Sequence, residues 1–286
     1  MPERNELGEF LRARRSRVRP ADIGLASSSG LRRTPGLRRE ELATMAGISV
    51  DYYVRLEQGR ERNPSPPVLE ALSRVLRLDQ EAHGHLIDIA ARAQSGARTR
   101  ATPLPEREVV RDEVLTLLRT LEPLPVYLLN SVNDVLASNT AGQVLLAGME
   151  DWPAEKRNTS RYVFLHPNAE QVFPHWDDIA WGTVAHLRAA HGTAPDDPRL
   201  VALVAELSAA SAEFRGLWRQ HEVKRRTTGV KVIEHPVVGR MSLTFETLAV
   251  SETDERLVVY QAQPGTADYE SMIRLNTVAK RLAVGA

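Results

Sequence analysis

The chain has 286 residues, no cysteine, and 37 basic against 37 acidic side chains. That length is about two ordinary domains, and the lack of cysteine excludes disulfides, thiolate metal sites and a cysteine nucleophile. The opening Met1-Pro2-Glu3-Arg4-Asn5-Glu6 has no apolar signal core, and no run of about 18 uncharged apolar residues follows, so the expectation is a cytoplasmic protein without a membrane span.

The zero net charge conceals a separation. The first 100 residues hold 18 arginines, no lysine and 13 acids, a net of +5, which leaves −5 for the remainder. A basic amino-terminal third on an acidic remainder is the asymmetry expected of a nucleic-acid-binding module joined to a module with another task.

In chain order, residues 6–18 read as an Arg-rich amphipathic helix ended by Pro20, and 21–36 as a loop bearing Gly, Ser and Pro. Helices follow at about 39–46, 50–58, 65–77 and 79–94. Ser49 suits the N-cap of the second of these, Gly59 its stop, and Pro66 the first turn of the third. Residues 95–105, with two prolines and little periodicity, read as a linker. Beyond it come a helix near 106–121 and strand-like runs at 125–129 and 134–138, joined through a turn at 130–134 as a hairpin. A helical middle spans about 139–221, strands recur at 230–235, 240–250 and 256–263, and a last helix lies near 268–283. Grouped strands and helices predict an α+β domain over 106–286 behind an all-α domain over 1–94.

Residues 39–58 carry the strongest chemistry. Ala43 is small where two helices approach, Gly47 tolerates the left-handed conformation of a tight turn, and Ile48, Tyr53 and Leu56 form an apolar wedge. At about 100° per residue, Val50, Asp51, Val54, Arg55 and Gln58 share one arc, opposite Tyr52, Tyr53 and Leu56. Such a face suits a major groove: arginine for guanine, an acid for the cytosine amino group, an aliphatic for the thymine methyl. Arg38 and Arg39 sit at a helix start that favours phosphate, while Arg60 and Arg62 flank the other end and Arg32 and Arg33 extend the basic surface.

Over residues 7–90 the chain resembles the XRE-type, lambda-repressor-like helix-turn-helix regulators, through Leu37-Arg38-Arg39-Glu40-Glu41-Leu42-Ala43, then Gly47-Ile48-Ser49-Val50-Asp51-Tyr52-Tyr53-Val54-Arg55-Leu56-Glu57-Gln58-Gly59-Arg60, then Pro64-Ser65-Pro66. The resemblance implies that Arg39, Val50, Asp51, Tyr52 and Arg55 read or clamp DNA; Ser49 is a further candidate contact, and a homodimer on a pseudo-palindromic operator is expected.

Residues 106–286 resemble the ligand-binding domain of MmyB-like transcription regulators. The matching residues are Asn158-Thr159-Ser160-Arg161-Tyr162-Val163-Phe164, Trp176 with Leu187-Arg188, Ser211 through His221, and Gly229-Val230-Lys231 with His235-Pro236 and Gly239. That resemblance implies a PAS-like fold and a pocket for a small amphiphilic ligand, with fatty acid as the ligand class. Phe214, Leu217, Trp218 and His221 fall on one helix face that could pack over a sheet, and Tyr127, Leu129 and Phe245 lie on expected strands. For any one of these aromatics, ordinary core is the preferred reading, and a pocket built from some of them is the other. Arg161, and less directly Lys224, Arg225 and Arg226, are candidates to meet a carboxylate.

An enzyme is not expected. His83 and His85 are two apart and diverge on a helix, and no HExxH, phosphate loop or dinucleotide motif occurs. Asp177-Asp178 and Asp196-Asp197 read as helix-start and turn residues. No cofactor or metal is expected. The alternative reading is a helical adaptor with weak DNA affinity whose carboxy-terminal domain binds a protein.

Overall fold

The structure is a computed structural model that describes residues 5–25, 36–95, 109–220, 228–250 and 253–284. Arg32, Arg33, His221, Lys224, Arg225, Arg226 and most of the expected linker lie outside them.

Leu7, Phe10 and Leu11 recur at helical spacing and bury one face of α1 (Glu6–Arg15), which Asn5 caps by accepting the Gly8 amide at 3.0 Å. The helix ends three residues earlier than its charge pattern suggested. A 3-10 turn at Pro20–Ile23 occupies the start of the segment read as loop. Four helices follow: α2 (Arg39–Ala46), α3 (Val50–Glu57), α4 (Pro66–Val75) and α5 (Gln80–Ser95). Phe10, Leu42, Tyr53, Leu56, Leu72 and Leu86 form the centre of their shared core.

The carboxy-terminal unit begins with α6 (Asp112–Thr120) and the hairpin β1 (Val126–Leu129) and β2 (Val135–Ser138). Asn130 closes the hairpin turn, its Oδ1 accepting the Val132 and Asp134 amides, and Asn133 takes the left-handed φ of +71°. Helices α7 (Thr140–Leu145), α8 (Thr159–Leu165), α9 (Ala169–Val172), α10 (Trp176–Thr193), α11 (Pro198–Ala210) and α12 (Ala212–Trp218) precede β3 (Thr228–His235), β4 (Gly239–Ala249) and β5 (Arg256–Gln261), and α13 (Ala267–Val284) closes the chain. The strands form one antiparallel sheet in the order β2-β1-β5-β4-β3.

Both faces of β1 are buried because alternate side chains enter different cores. Val126 and Leu128 meet Val114 and Leu118 of α6, whereas Tyr127 and Leu129 join the main core with residues of α7 to α10 and α13. Two buried asparagines knit loops to helices. Asn139 caps α7, accepts the Val126 amide and donates to the Leu118 and Leu124 carbonyls. Asn158 caps α8 through the Ser160 and Arg161 amides and donates to Val132 and Asp134. Each satisfies its own amide while ordering backbone that no strand or helix would otherwise pair.

The helix α10 joins the two units. Ala189 is buried in the amino-terminal core, His191 Nδ1 lies 2.8 Å from Glu6 Oε1, and Gly192 sits against the His85 ring, where a Cβ would meet Cε1 at 2.0 Å. Among the described residues, no helix is long and apolar enough to cross a membrane.

Candidate DNA-reading helix and ligand cavity

Gly47 ends α2 with φ +67°, a conformation costly to any residue with a Cβ, and its amide reaches back to the Ala43 and Thr44 carbonyls. The chain then turns, and Ser49 starts α3 by accepting the Tyr52 amide at 3.1 Å. Tyr53 and Leu56 are fully buried and Ile48 packs at the edge of the core, which holds α3 against α1 and α2.

This seating leaves Ser49, Val50, Asp51 and Arg55 exposed on one side, with Arg38, Arg60 and Arg62 exposed at the ends of the motif. Arg55 pairs with Asp51 at 3.3 Å, both side chains largely in solvent. An exposed pair at this spacing is worth about 0.5 kcal/mol or less, below the roughly 1–3 kcal/mol of a bidentate base contact, so Arg55 is available to a guanine. Tyr52, which the helical angle placed with the core, is half-buried: its ring packs on the core edge and lies 5.9 Å from the Arg55 guanidinium. Arg62 bends back to the Gly59 carbonyl, and the Arg60 amide bonds the Arg55 carbonyl.

Glu57 is the residue that the helical wheel misplaces. Its angle is close to that of exposed Val50, yet it is fully buried, because α1 and the start of α2 cover the end of α3. Arg15 Nε and Arg39 Nε each reach its carboxylate at 2.7 Å, and its carbonyl accepts Asn5 Nδ2 at 2.6 Å. Burial alone would push the carboxyl up, but the hydrogen bonds from Arg15 and Arg39 and the Arg15 charge outweigh it and hold Glu57 below the usual carboxylate range. Arg39 is therefore a structural partner first. With its side chain still 42% exposed, it keeps donors for a phosphate.

In the carboxy-terminal unit a cavity of about 140 Å³ lies between the inner sheet face and α8 to α10. Tyr127, Leu129, Phe245, Val258 and Tyr260 line it from the sheet, and Asp178, Ile179, Gly182, Thr183 and His186 from successive turns of α10. The far wall includes Val163 and Phe173. Arg256 and Tyr260 stand four positions apart on one face of β5, about 13 Å of strand, with Val258 between them. At one end Arg256 bonds Asn130 and Asn133 and lies 3.1 Å from His186 Nε2. At the other, Lys231 Nζ donates to the Tyr260 hydroxyl at 3.0 Å. The Tyr127 ring packs edge-on to Tyr260, and burial pushes its phenol well above the usual range. Among the described residues, no three His, Asp or Glu side chains converge as a metal would require.

Of the residues singled out by sequence, Tyr127, Leu129 and Phe245 line this cavity, and Arg161, Phe214 and Trp218 do not. Arg161 is drawn to Glu206 at 2.9 Å and Asp134 at 3.7 Å. Phe214 and Trp218 stack on each other and pack against helices, not over the sheet: Phe214 meets Phe164, and Trp218 lies under the Arg188 guanidinium beside His191 at the seam between the units. Conversely, sequence reasoning passed over Lys231, Arg256, His186 and Asp178 as wall residues. For Lys231 a signal existed, since it alternates in phase with buried Ile233 and His235.

Comparison with known families agrees with both halves. A family model described as helix-turn-helix domain matches residues 6–86, and one described as MmyB-like transcription regulator ligand binding domain matches residues 110–275. No curated protein matches the chain. With more than half of its length in that second match and the helix-turn-helix match ahead of it, the chain belongs to the MmyB-like transcription regulator ligand-binding-domain family.

Proposed function

We propose that the chain is a cytoplasmic homodimeric regulator, with residues 1–94 as reader, 95–105 as linker and 106–286 as a PAS-like sensor. Val50, Asp51 and Arg55 read base edges of a pseudo-palindromic operator, and Arg38, Arg39, Ser49, Tyr52, Arg60 and Arg62 hold its backbone. The sensor takes a small amphiphilic ligand, a fatty acid in class, against Tyr127, Leu129, Phe245 and their neighbours. A cavity whose wall mixes apolar and aromatic side chains with Lys231, Arg256 and His186 supports that class. Its volume is close to the roughly 150 Å³ that accommodates benzene in an engineered core, so an acyl tail must also use the mouth or widen the walls.

The observation that carries a ligand-responsive reading is α10. Residues 178–186 of one helix line the cavity, and Ala189, His191 and Gly192 of the same helix pack on the DNA-binding unit. A tail that shifts α10 outward must move α1 and α5 or break their contacts. Because coupling is reciprocal, operator DNA must change ligand affinity by the factor by which ligand changes operator affinity. Extraction of the purified protein followed by mass spectrometry should recover an acyl carboxylate, and octanoate titrated with and without operator should give different affinities. Equal affinities would overturn the ligand-responsive reading.

A further inference from the structure

We propose that Lys231, held by Tyr260 and Phe245, is the anchor for the ligand's head group and restricts the cavity to anions. The inference rests on the cavity being the ligand site. The Lys231 ammonium donates to Tyr260 Oη at 3.0 Å and lies 4.9 Å and 5.3 Å from the Phe245 and Tyr260 ring centroids. Gly229 pairs with Phe245 across β3 and β4, and its lack of a side chain leaves room for that ring, whose nearest atom would lie 3.0 Å from a Cβ.

Two features give this ammonium a task beyond solvation. Among the described residues, no carboxylate comes within ion-pair distance of it, although Asp178 lines the same cavity. Arg256, the other cation on the wall, already contacts Asn130, Asn133 and His186. An ammonium with no carboxylate partner among the described residues, beside Phe245, Tyr260 and Val258 on the cavity wall, is complementary to an acceptor-rich anion. A cationic ligand is disfavoured by the same geometry. The ring faces that would hold a quaternary ammonium are already beside the lysine's own charge.

The test uses the full chain and three probes of matched tail: octanoate, 1-octanol and octyltrimethylammonium, each titrated by calorimetry. The wild-type protein should prefer octanoate to octanol by about tenfold or more, the scale of one charge-assisted hydrogen bond, and should not bind the cation measurably. Lys231→Met should abolish the preference while keeping octanol affinity, which also shows that the variant is folded, and Lys231→Arg should restore it. If Lys231→Met keeps the octanoate preference, the anchor lies elsewhere and the inference fails while the cavity reading stands. If octanoate and octanol both fail to bind the wild type, the cavity reading falls and takes this one with it.

Discussion

The contact between Gly192 and His85 offers the most direct test of how the two units communicate. A Cβ at position 192 would lie 2.0 Å from His85 Cε1 and 2.2 Å from Nδ1. Ordinary contacts between heavy atoms are about 3.5–4.0 Å, so Gly192→Ala forces a displacement of about 1.5 Å. The His85 ring has little room to yield: it is 8% exposed and packs edge-on to Phe10, with centroids 5.3 Å apart. Overpacking of this kind costs about 1–3 kcal/mol, offset by less than about 1 kcal/mol from the better helix propensity of alanine. The cheapest relief is separation of α10 from α5. The variant should therefore keep its affinity for octanoate and for operator measured separately, since neither the cavity wall nor α3 is touched. The factor linking them, ordinarily about 5–150-fold in coupled systems, should fall toward one. Gly84→Ala is the control: it lies on α5 with nothing within 4 Å of its Cβ and should leave coupling intact. Operator binding by fluorescence anisotropy, with and without octanoate, measures the factor. An undiminished factor in Gly192→Ala would refute transmission through this contact.

Other expectations concern single groups. Arg55→Ala should cost about 1–3 kcal/mol at one operator position and relax preference there, whereas Arg60→Ala should weaken all sequences alike and lower the salt-dependence slope by about one; equal discrimination in the Arg55 variant would mean that α3 is oriented otherwise. Burial lowers the His235 pKa below its ordinary 6.5, while its Nε2 bonds the Val144 carbonyl at 3.0 Å, so the neutral form is the folded one. Stability from this group is present above pH 6.5 and is lost as pH falls through the lowered value; Glu57, held below 4.5, adds a second loss at more acidic pH. Thermal melts from pH 8 to about pH 2 should show both losses, the second only below about pH 4.5, and His235→Gln should remove the first; a flat profile in the wild type between pH 7 and pH 5 would count against the assignment. Tyr127→Phe removes a buried hydroxyl that makes no close hydrogen bond, so the ligand-free protein should gain about 1 kcal/mol. A variant that is less stable without ligand would show that the hydroxyl is already satisfied.

The helix-turn-helix was legible in the sequence because its determinants are local. Gly47, Ser49 and the Tyr53–Leu56 wedge act within a few residues, and the arginine excess of the first 100 residues needs no fold to be counted. The five strands and the hairpin turn at Asn130 were equally local. What covers a face is not local, and there periodicity ran out. Glu57 has an exposed angle on α3 but is enclosed by α1 and α2, which turns Arg39 from a free phosphate clamp into a part-exposed partner of a buried carboxylate. Phe214 and Trp218 do form an apolar face, but the partner of that face is a set of helices, so neither reaches the cavity.

The cavity itself is assembled from segments up to about 130 residues apart in sequence, from Tyr127 to Tyr260, and no motif spacing encodes that meeting. The same holds for α10. As a sequence it is an apolar helix in a helical middle; as part of the fold it carries the cavity wall at one end and the DNA-binding core at the other. The sequence by itself determined which elements form and that a basic reader precedes an acidic sensor, because propensity, turn chemistry and charge are properties of short segments. Tertiary structure decided which side chains share a cavity and which helix spans both units, because burial depends on what distant chain lies opposite.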